Sequence, residues 1–190
     1  MPEISEDAAI LIATSYQALN RAIQGDPDTL ITDCTVLILF AGFYIEATLN
    51  HIFEFLNKDI NAFPINEKSS QGKRNLGLQD KLAWFYNEFM EESKASNWNE
   101  IREKNINTKL VAMFPGFSEL RRFRNDISHG RINESAKSLA MAQTLRQQAK
   151  DLVGQLYIIT TAQGYAVPRL ITYKEAIASI ANHGEQSATT

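Results

Sequence analysis

This 190-residue sequence has little cysteine, little histidine and no run of alternating β-branched residues. Its single cysteine, Cys34, has no partner for an intrachain disulfide, so a disulfide-stabilised scaffold is excluded. We expect Cys34 to be a small buried hydrophobe in a reducing compartment. The three histidines form no cluster with the spacing of a zinc site. Without alternating apolar residues, the sequence predicts no strand.

Several motifs of nucleotide and metal enzymes are also missing. The sequence has no GxxxxGK[ST], no GxGxxG and no HExxH, and no motif favours a Ser/His/Asp triad. The net charge of −3 argues against a protein that coats nucleic acid by bulk electrostatics. The segment from Arg102 to Arg131 differs, because its seven basic residues outnumber three acidic ones. A polyanion is therefore expected to bind at one place only.

The amino terminus, MPEISEDAAI, opens with acidic residues and does not have the pattern of a secretory signal, so we expect a cytoplasmic protein. The apolar run Val36–Ile45 has ten residues between polar flanks, which is too short to span a bilayer. We therefore interpret it as the buried central helix of a bundle and predict no membrane insertion.

The fold class predicted from helical periodicity is all-α, a single-domain helical bundle at 1–183 followed by a disordered tail at 184–190. Long central helices and a short C-terminal helical tail are expected. The predicted helices are 5–24, 28–57, 78–92, 117–129, 134–162 and 173–182, with a loop at 61–77 and a short helix near Trp98 and Ile101. Aromatic residues are predicted to fill the core rather than stack on bases, namely Phe53, Phe55, Trp84, Phe85 and Phe89.

The most informative stretch is the decapeptide Arg121–Gly130, RRFRNDISHG, at the end of a predicted helix. Arg124 offers a planar charged fork that matches phosphate, and Asn125 is a neutral donor and acceptor. His129 is of the residue type whose unperturbed pKa lies near neutrality. Gly130 suits the left-handed position just after a helix. The side chains needed to bind a phosphate, to orient it and to transfer a proton thus lie within six consecutive residues.

This decapeptide resembles the RN-x3-HG form of the R-x4–6-H signature of the HEPN superfamily. HEPN domains are all-α and occur in RNA-cutting toxins, antiviral effectors and their non-catalytic relatives. A second similarity is Glu46, which lies on the otherwise apolar or small stripe of Leu39, Gly42, Leu49 and Phe53. Periodicity turns its carboxylate toward the core, where it needs a partner. HEPN families similarly place an acidic residue where it orients the motif arginine or nearby backbone. The resemblance covers about residues 30–160.

The resemblance implies a metal-independent endoribonuclease, without a cofactor, that acts as a toxin or defence effector. It implies catalytic roles for Arg124, Asn125 and His129, with Glu46 and Ser128 in support. His129 is expected to act as base on the 2′-hydroxyl or acid toward the 5′-oxygen, and Arg124 to stabilise charge at phosphorus. RNA-binding residues are expected at Arg121, Arg122 and Arg131. The implied partners are RNA, a second copy in a homodimer, and an antitoxin or regulatory protein.

Two alternatives remain open at this point. The same surface could belong to a HEPN-like module that binds RNA, nucleotide or protein without turnover. In the other alternative the protein is a structural adaptor, and Arg124 and His129 are cations favoured by the dipole at a helix end that Gly130 closes. Arg121 and Arg122 fit either a solvated face or phosphate contacts, and His51 fits a surface or packing residue.

Overall fold

The protein is all-α in every part that its computed structural model describes, namely residues 14, 18, 21, 24, 29–58, 77–90, 94–95, 98–131 and 138–167. Helix accounts for 82% of these residues, and no strand occurs among them. The elements are α1 (Leu30–Phe55), α2 (Leu78–Phe89), α3 (Trp98–Arg102), a π-helix (Glu103–Leu110), α4 (Val111–Met113), α5 (Phe117–Ser128) and α6 (Leu139–Ala162).

The periodic segments of the sequence form helices within a few residues of the predicted bounds, as α1, α2 and α5 show. The last long helix begins at Leu139, where Ser138 caps it by accepting a bond from the Met141 amide at 3.3 Å. The predicted start at residue 134 lies outside the described residues. The loop predicted at 61–77 lies outside the described residues except for Gly77. The tail helix at 173–182 and the tail at 184–190 also lie outside them. In the predicted first helix, the four described positions, 14, 18, 21 and 24, are helical.

The segment after Trp98 differs from the prediction of a short helix in a poorly periodic stretch. The short helix α3 forms, but it continues as eight residues of π-helix from Glu103 to Leu110. π-Helices of this length are rare. The sequence of this segment has no clear period from which the π-helix could have been predicted. Asn105 is fully buried in this π-helix and donates from Nδ2 to the Ala83 carbonyl at 3.3 Å. That side-chain bond ties the π-helix to α2.

The chain divides into two compact units, and the boundary falls within α1, α5 and α6. The first unit comprises Met1–Tyr44, Leu120–Gln147 and Pro168–Thr190. Its described core includes Leu37, Ile38, Ala41, Leu120, Phe123 and Leu145. Cys34 is fully buried there, and desolvation raises the pKa of its thiol, with Asp33 adding to the effect. The expectation that Cys34 is a small buried hydrophobe is confirmed.

The second unit comprises Ile45–Glu119 and Gln148–Val167. Its core contains an aromatic cluster in which Phe53 stacks on Trp84 with ring centroids 4.6 Å apart and meets Phe85 edge-on. Phe89 joins this cluster, so four of the five aromatic residues predicted to be internal are buried. Phe55 is the exception, with 47% of its surface exposed. Phe55 is the last residue of α1 and comes after Ile52 and Phe53, the last buried residues of that helix.

Helix α1 has one long buried stripe, made of residues spaced mostly three or four positions apart along the helix. They are Cys34, Leu37, Ile38, Ala41, Ile45, Thr48, Leu49, Ile52 and Phe53. This pattern is typical of a core helix. The helix has 26 residues, so by length and composition it is also apolar enough to cross a membrane, as core helices of soluble proteins can be. The absence of membrane insertion, together with the single-domain organisation, stays a prediction.

Helix α5 ends in a Schellman motif that the sequence predicts through Gly130. The Gly130 amide donates to the Ile127 carbonyl at 2.9 Å, and the Arg131 amide donates to the Asp126 carbonyl at 2.7 Å. Gly130 has φ +70°, the left-handed region that glycine adopts without strain. His129 is therefore the C-cap residue, and the chain leaves the helix immediately after it. The same bonding pattern ends α1 at Asn57 and α6 at Gly164.

We predict that Gly130→Ala destabilises the protein by about 1 kcal/mol, because alanine resists positive φ. An added Cβ would meet no atom within 4 Å, so the cost is one of backbone conformation alone. The matched control is Gly154→Ala inside α6, where a Cβ also meets nothing, and which should stabilise by about 0.5–1 kcal/mol. Urea unfolding measures both. Equal effects at the two positions would contradict the assigned cap.

Candidate functional site

Helix α5 has a buried side and an exposed side, and the residues of the motif are divided between them. Phe117, Leu120 and Phe123 are buried at spacings of three. The exposed residues on the opposite side are Arg121, Arg122, Asn125 and His129. Because an α-helix turns about 100° per residue, Asn125 and His129 lie within about 40° of one another. Two guanidinium groups, an amide and an imidazole thus share one solvent-facing surface, which we call the basic face.

Arg124 belongs to the other side of α5, about 140° around the axis from His129. It is half-buried, and its stem lies against the backbone of α1. A Cβ built on Gly42 would be 3.5 Å from Arg124 Cδ, which is ordinary van der Waals contact. The guanidinium carbon then lies 5.3 Å from the centroid of the Phe43 ring, a cation–π distance. The orientation of Arg124 therefore depends on α1.

The remaining cations at this end of α5 have different surroundings. Arg122 places its guanidinium carbon 5.1 Å from the ring centroid of its neighbour Phe123. Arg131 follows the cap and is exposed, with its Nε 3.8 Å from an Asp126 carboxylate oxygen. An ion pair of an exposed cation such as Arg131 contributes little to stability. Ser128 is the last residue of α5, and its side chain lies outside the described residues.

Glu46 has the buried partner that its position on an apolar stripe requires. Its Oε1 accepts a hydrogen bond from Lys81 Nζ at 2.7 Å, and Asn50 Oδ1 accepts one from the same ammonium at 3.0 Å. The side chains of Lys81 and Glu46 are 11% and 22% exposed. One partner of this carboxylate is thus a lysine of α2, in the second unit. The pairing of Glu46 with a motif cation or backbone donor, expected from the sequence, stays a prediction.

Lys81 and Phe43 are the residues that sequence reasoning missed. Lys81 lies among the buried positions Leu78, Leu82 and Phe85 of α2, so a lone cation on an apolar stripe was the available signal. Together with a lone carboxylate on the stripe of α1, it indicates an ion pair. Phe43 had no such signal, because an aromatic residue in an apolar run is typical of core packing.

Within the part of the chain that the structure describes, no three Asp, Glu, His or Cys side chains are grouped so that they could hold a metal ion. Comparison with known proteins adds no identification. No family model, no curated protein and no solved structure matches this chain. Membership of the HEPN superfamily therefore stays a prediction based on the motif.

We predict that Lys81→Met destabilises the protein by about 2–3 kcal/mol, because it leaves the largely buried Glu46 carboxylate without its ammonium partner. Urea unfolding followed by circular dichroism measures the effect. A second change, Glu46→Gln, should recover part of the loss by removing the charge.

The matched control for this prediction is Lys58→Met. Lys58 pairs with Glu88, and their side chains are 36% and 31% exposed, so the loss should stay below about 1 kcal/mol. If Lys81→Met and Lys58→Met lower the free energy of unfolding equally, the Lys81–Glu46 pair contributes no more to stability than the more exposed Lys58–Glu88 pair.

Proposed function

We propose that the protein is a metal-independent endoribonuclease of HEPN type, a toxin or defence effector, whose site is formed by the basic face of α5 and by Arg124. The observation that carries the proposal is the exposure of His129 and Asn125 on one surface with Arg121 and Arg122. An imidazole beside two guanidinium groups can move a proton while the cations hold a phosphodiester. The RN-x3-HG pattern supports the same chemistry.

In the proposed reaction the 2′-oxygen of RNA bonds to phosphorus while the bond from phosphorus to the 5′-oxygen breaks. His129 accepts the 2′-hydroxyl proton, and an imidazolium returns a proton to the 5′-oxygen, so the products are a 2′,3′-cyclic phosphate and a 5′-hydroxyl. Arg124 stabilises the charge that develops on the phosphoryl oxygens. DNA is not cleaved, since it lacks the 2′-hydroxyl.

A homodimer fits this proposal. Arg124 and His129 leave α5 about 140° apart, so a single helix presents them in different directions. A second copy would offer its own basic face beside the first chain's Arg124, and two imidazoles would then supply the base and the acid. A further protein, an antitoxin or regulator, would act by covering this surface.

The alternative is a module that binds RNA with the same face and does not cut it. The observation in its favour is the structural role of the motif residues, because His129 is the C-cap of a complete Schellman motif and Arg124 packs on Phe43. Both roles would keep these residues in place without catalysis. Cleavage assays separate the two functions.

We predict that His129→Ala abolishes cleavage of mixed RNA in EDTA and leaves RNA affinity nearly unchanged, because proton transfer is lost while the arginine guanidinium groups that bind phosphate remain. Gel analysis of the fragments, with detection of cyclic-phosphate ends, and filter binding measure the two effects. His51→Ala is the control histidine and should cleave like the parent. Parent protein that binds RNA without producing fragments would favour the binding module.

Arg124→Lys should also lower cleavage steeply although it keeps the charge, since the planar fork is lost. The control is Arg146→Lys on α6. If both His129→Ala and Arg124→Lys alter only thermal stability, and neither alters RNA cleavage or binding, the two residues are structural cations of a helix end.

Light scattering at micromolar protein should give about twice the chain mass of 21.4 kDa. The measurement should be repeated at the concentration used for cleavage, so that activity and assembly are compared directly. A strict monomer that still cleaves RNA would refute the shared site.

A further inference from the structure

We propose that Phe43 is a positioning residue for Arg124, and that its ring fixes the guanidinium in the orientation that serves the phosphoryl group. This inference rests on the proposed ribonuclease function and adds a residue of α1 to its site. Phe43 does not belong to the motif, and it lies 81 residues before Arg124 in the sequence. The structure brings the two together within the first unit.

The first argument is the geometry of the contact. The stem of Arg124 lies over Gly42, where the backbone of α1 has no side chain in the way. The guanidinium then reaches the next residue of α1, the ring of Phe43, at 5.3 Å from its centroid. A planar cation on an aromatic face has fewer orientations than one in water, and the ring leaves its N–H edges available.

The second argument is the exposure of the ring. Phe43 is 37% exposed, whereas Phe53 of α1 and Phe123 of α5 are each 1% exposed, and only Phe55 among the described aromatic residues of these two helices is more exposed, at 47%. The Phe43 ring also contacts Phe40, edge-on, at 6.1 Å between centroids. A large apolar ring kept partly in solvent contributes less burial than a core position would. Its contact with a half-buried cation of the motif gives it a function that packing alone does not.

The expected consequence concerns the rate more than the binding of RNA. The orientation of the Arg124 guanidinium matters most in the transition state, where negative charge develops on the phosphoryl oxygens. Loss of that orientation should therefore lower kcat and leave KM nearly unchanged. Phe43→Leu should lower kcat about tenfold, within the range of a partly desolvated cation–π contact. Phe43→Trp should keep the parent rate, because indole is the best face for a cation.

The test measures kcat and KM for one RNA with the full-length parent, Phe43→Leu, Phe43→Trp and Phe55→Leu. Phe55 is the matched control, since it lies on the same helix and is 47% exposed. The Arg124 Nε–H resonance is recorded for each protein, because a ring over the guanidinium shifts it. We expect the kcat loss only in Phe43→Leu, a change of the Arg124 resonance in Phe43→Leu but not in Phe55→Leu, and no further loss of kcat when Phe43→Leu is added to Arg124→Lys.

The outcomes distinguish this inference from the function on which it rests. If the parent cleaves and Phe43→Leu behaves like Phe55→Leu, the positioning role is wrong and the ribonuclease function stands. If Phe43→Leu lowers kcat by the same factor in the parent and in the Arg124→Lys variant, Phe43 acts independently of Arg124 and the inference is overturned. If the parent produces no fragments, the ribonuclease function fails and the positioning role fails with it, whatever the Arg124 resonance shows.

Discussion

The structure depends on two carboxylates of α1, those of Asp33 and Glu46, that lie away from full solvent exposure, whereas the third, Glu54, is exposed. Asp33 is fully buried, and its Oδ1 accepts bonds from Nε and Nη2 of Arg21 at 3.1 and 2.7 Å. Glu46 is satisfied by Lys81. A carboxylate inside a protein is costly without a cation, so each pair restricts how α1 can turn about its axis. The same helix presents Gly42 and Phe43 to Arg124. The surroundings of that arginine therefore depend on residues outside the motif.

The parts of the fold that local sequence determines could be predicted, and those that depend on distant contacts could not. The helical course of α1 and the glycine that ends α5 both depend on residues within a few positions, and the structure has them where expected. The π-helix at Glu103–Leu110 has no periodic signal in the sequence. A bond from the buried Asn105 to the Ala83 carbonyl joins it to another helix, and local sequence does not predict such a distant contact. The Lys81 partner of Glu46 similarly requires knowledge of which helices meet.

The motif itself shows the same limit. In the sequence, Arg124, Asn125 and His129 form one short pattern, and only their spacing on the predicted helix separates Arg124 from the other two. On α5 they divide, because Asn125 and His129 are exposed while Arg124 turns toward α1. Histidine and arginine therefore depend on different parts of the protein for their placement. The residue types could be predicted from the motif, whereas the aromatic neighbour of Arg124 is visible only in three dimensions.

The closure of α5 has a consequence for how the end of the helix would respond to change elsewhere in the protein. The backbone bonds that close it link Asn125, Asp126, Ile127, His129, Gly130 and Arg131, which lie within seven consecutive residues. The backbone position of His129 is thus set locally, at the point where the chain leaves the helix. The surroundings of Arg124 depend on α1, so a shift of α1 along α5 would move the contacts of the arginine and leave the backbone of the histidine in place.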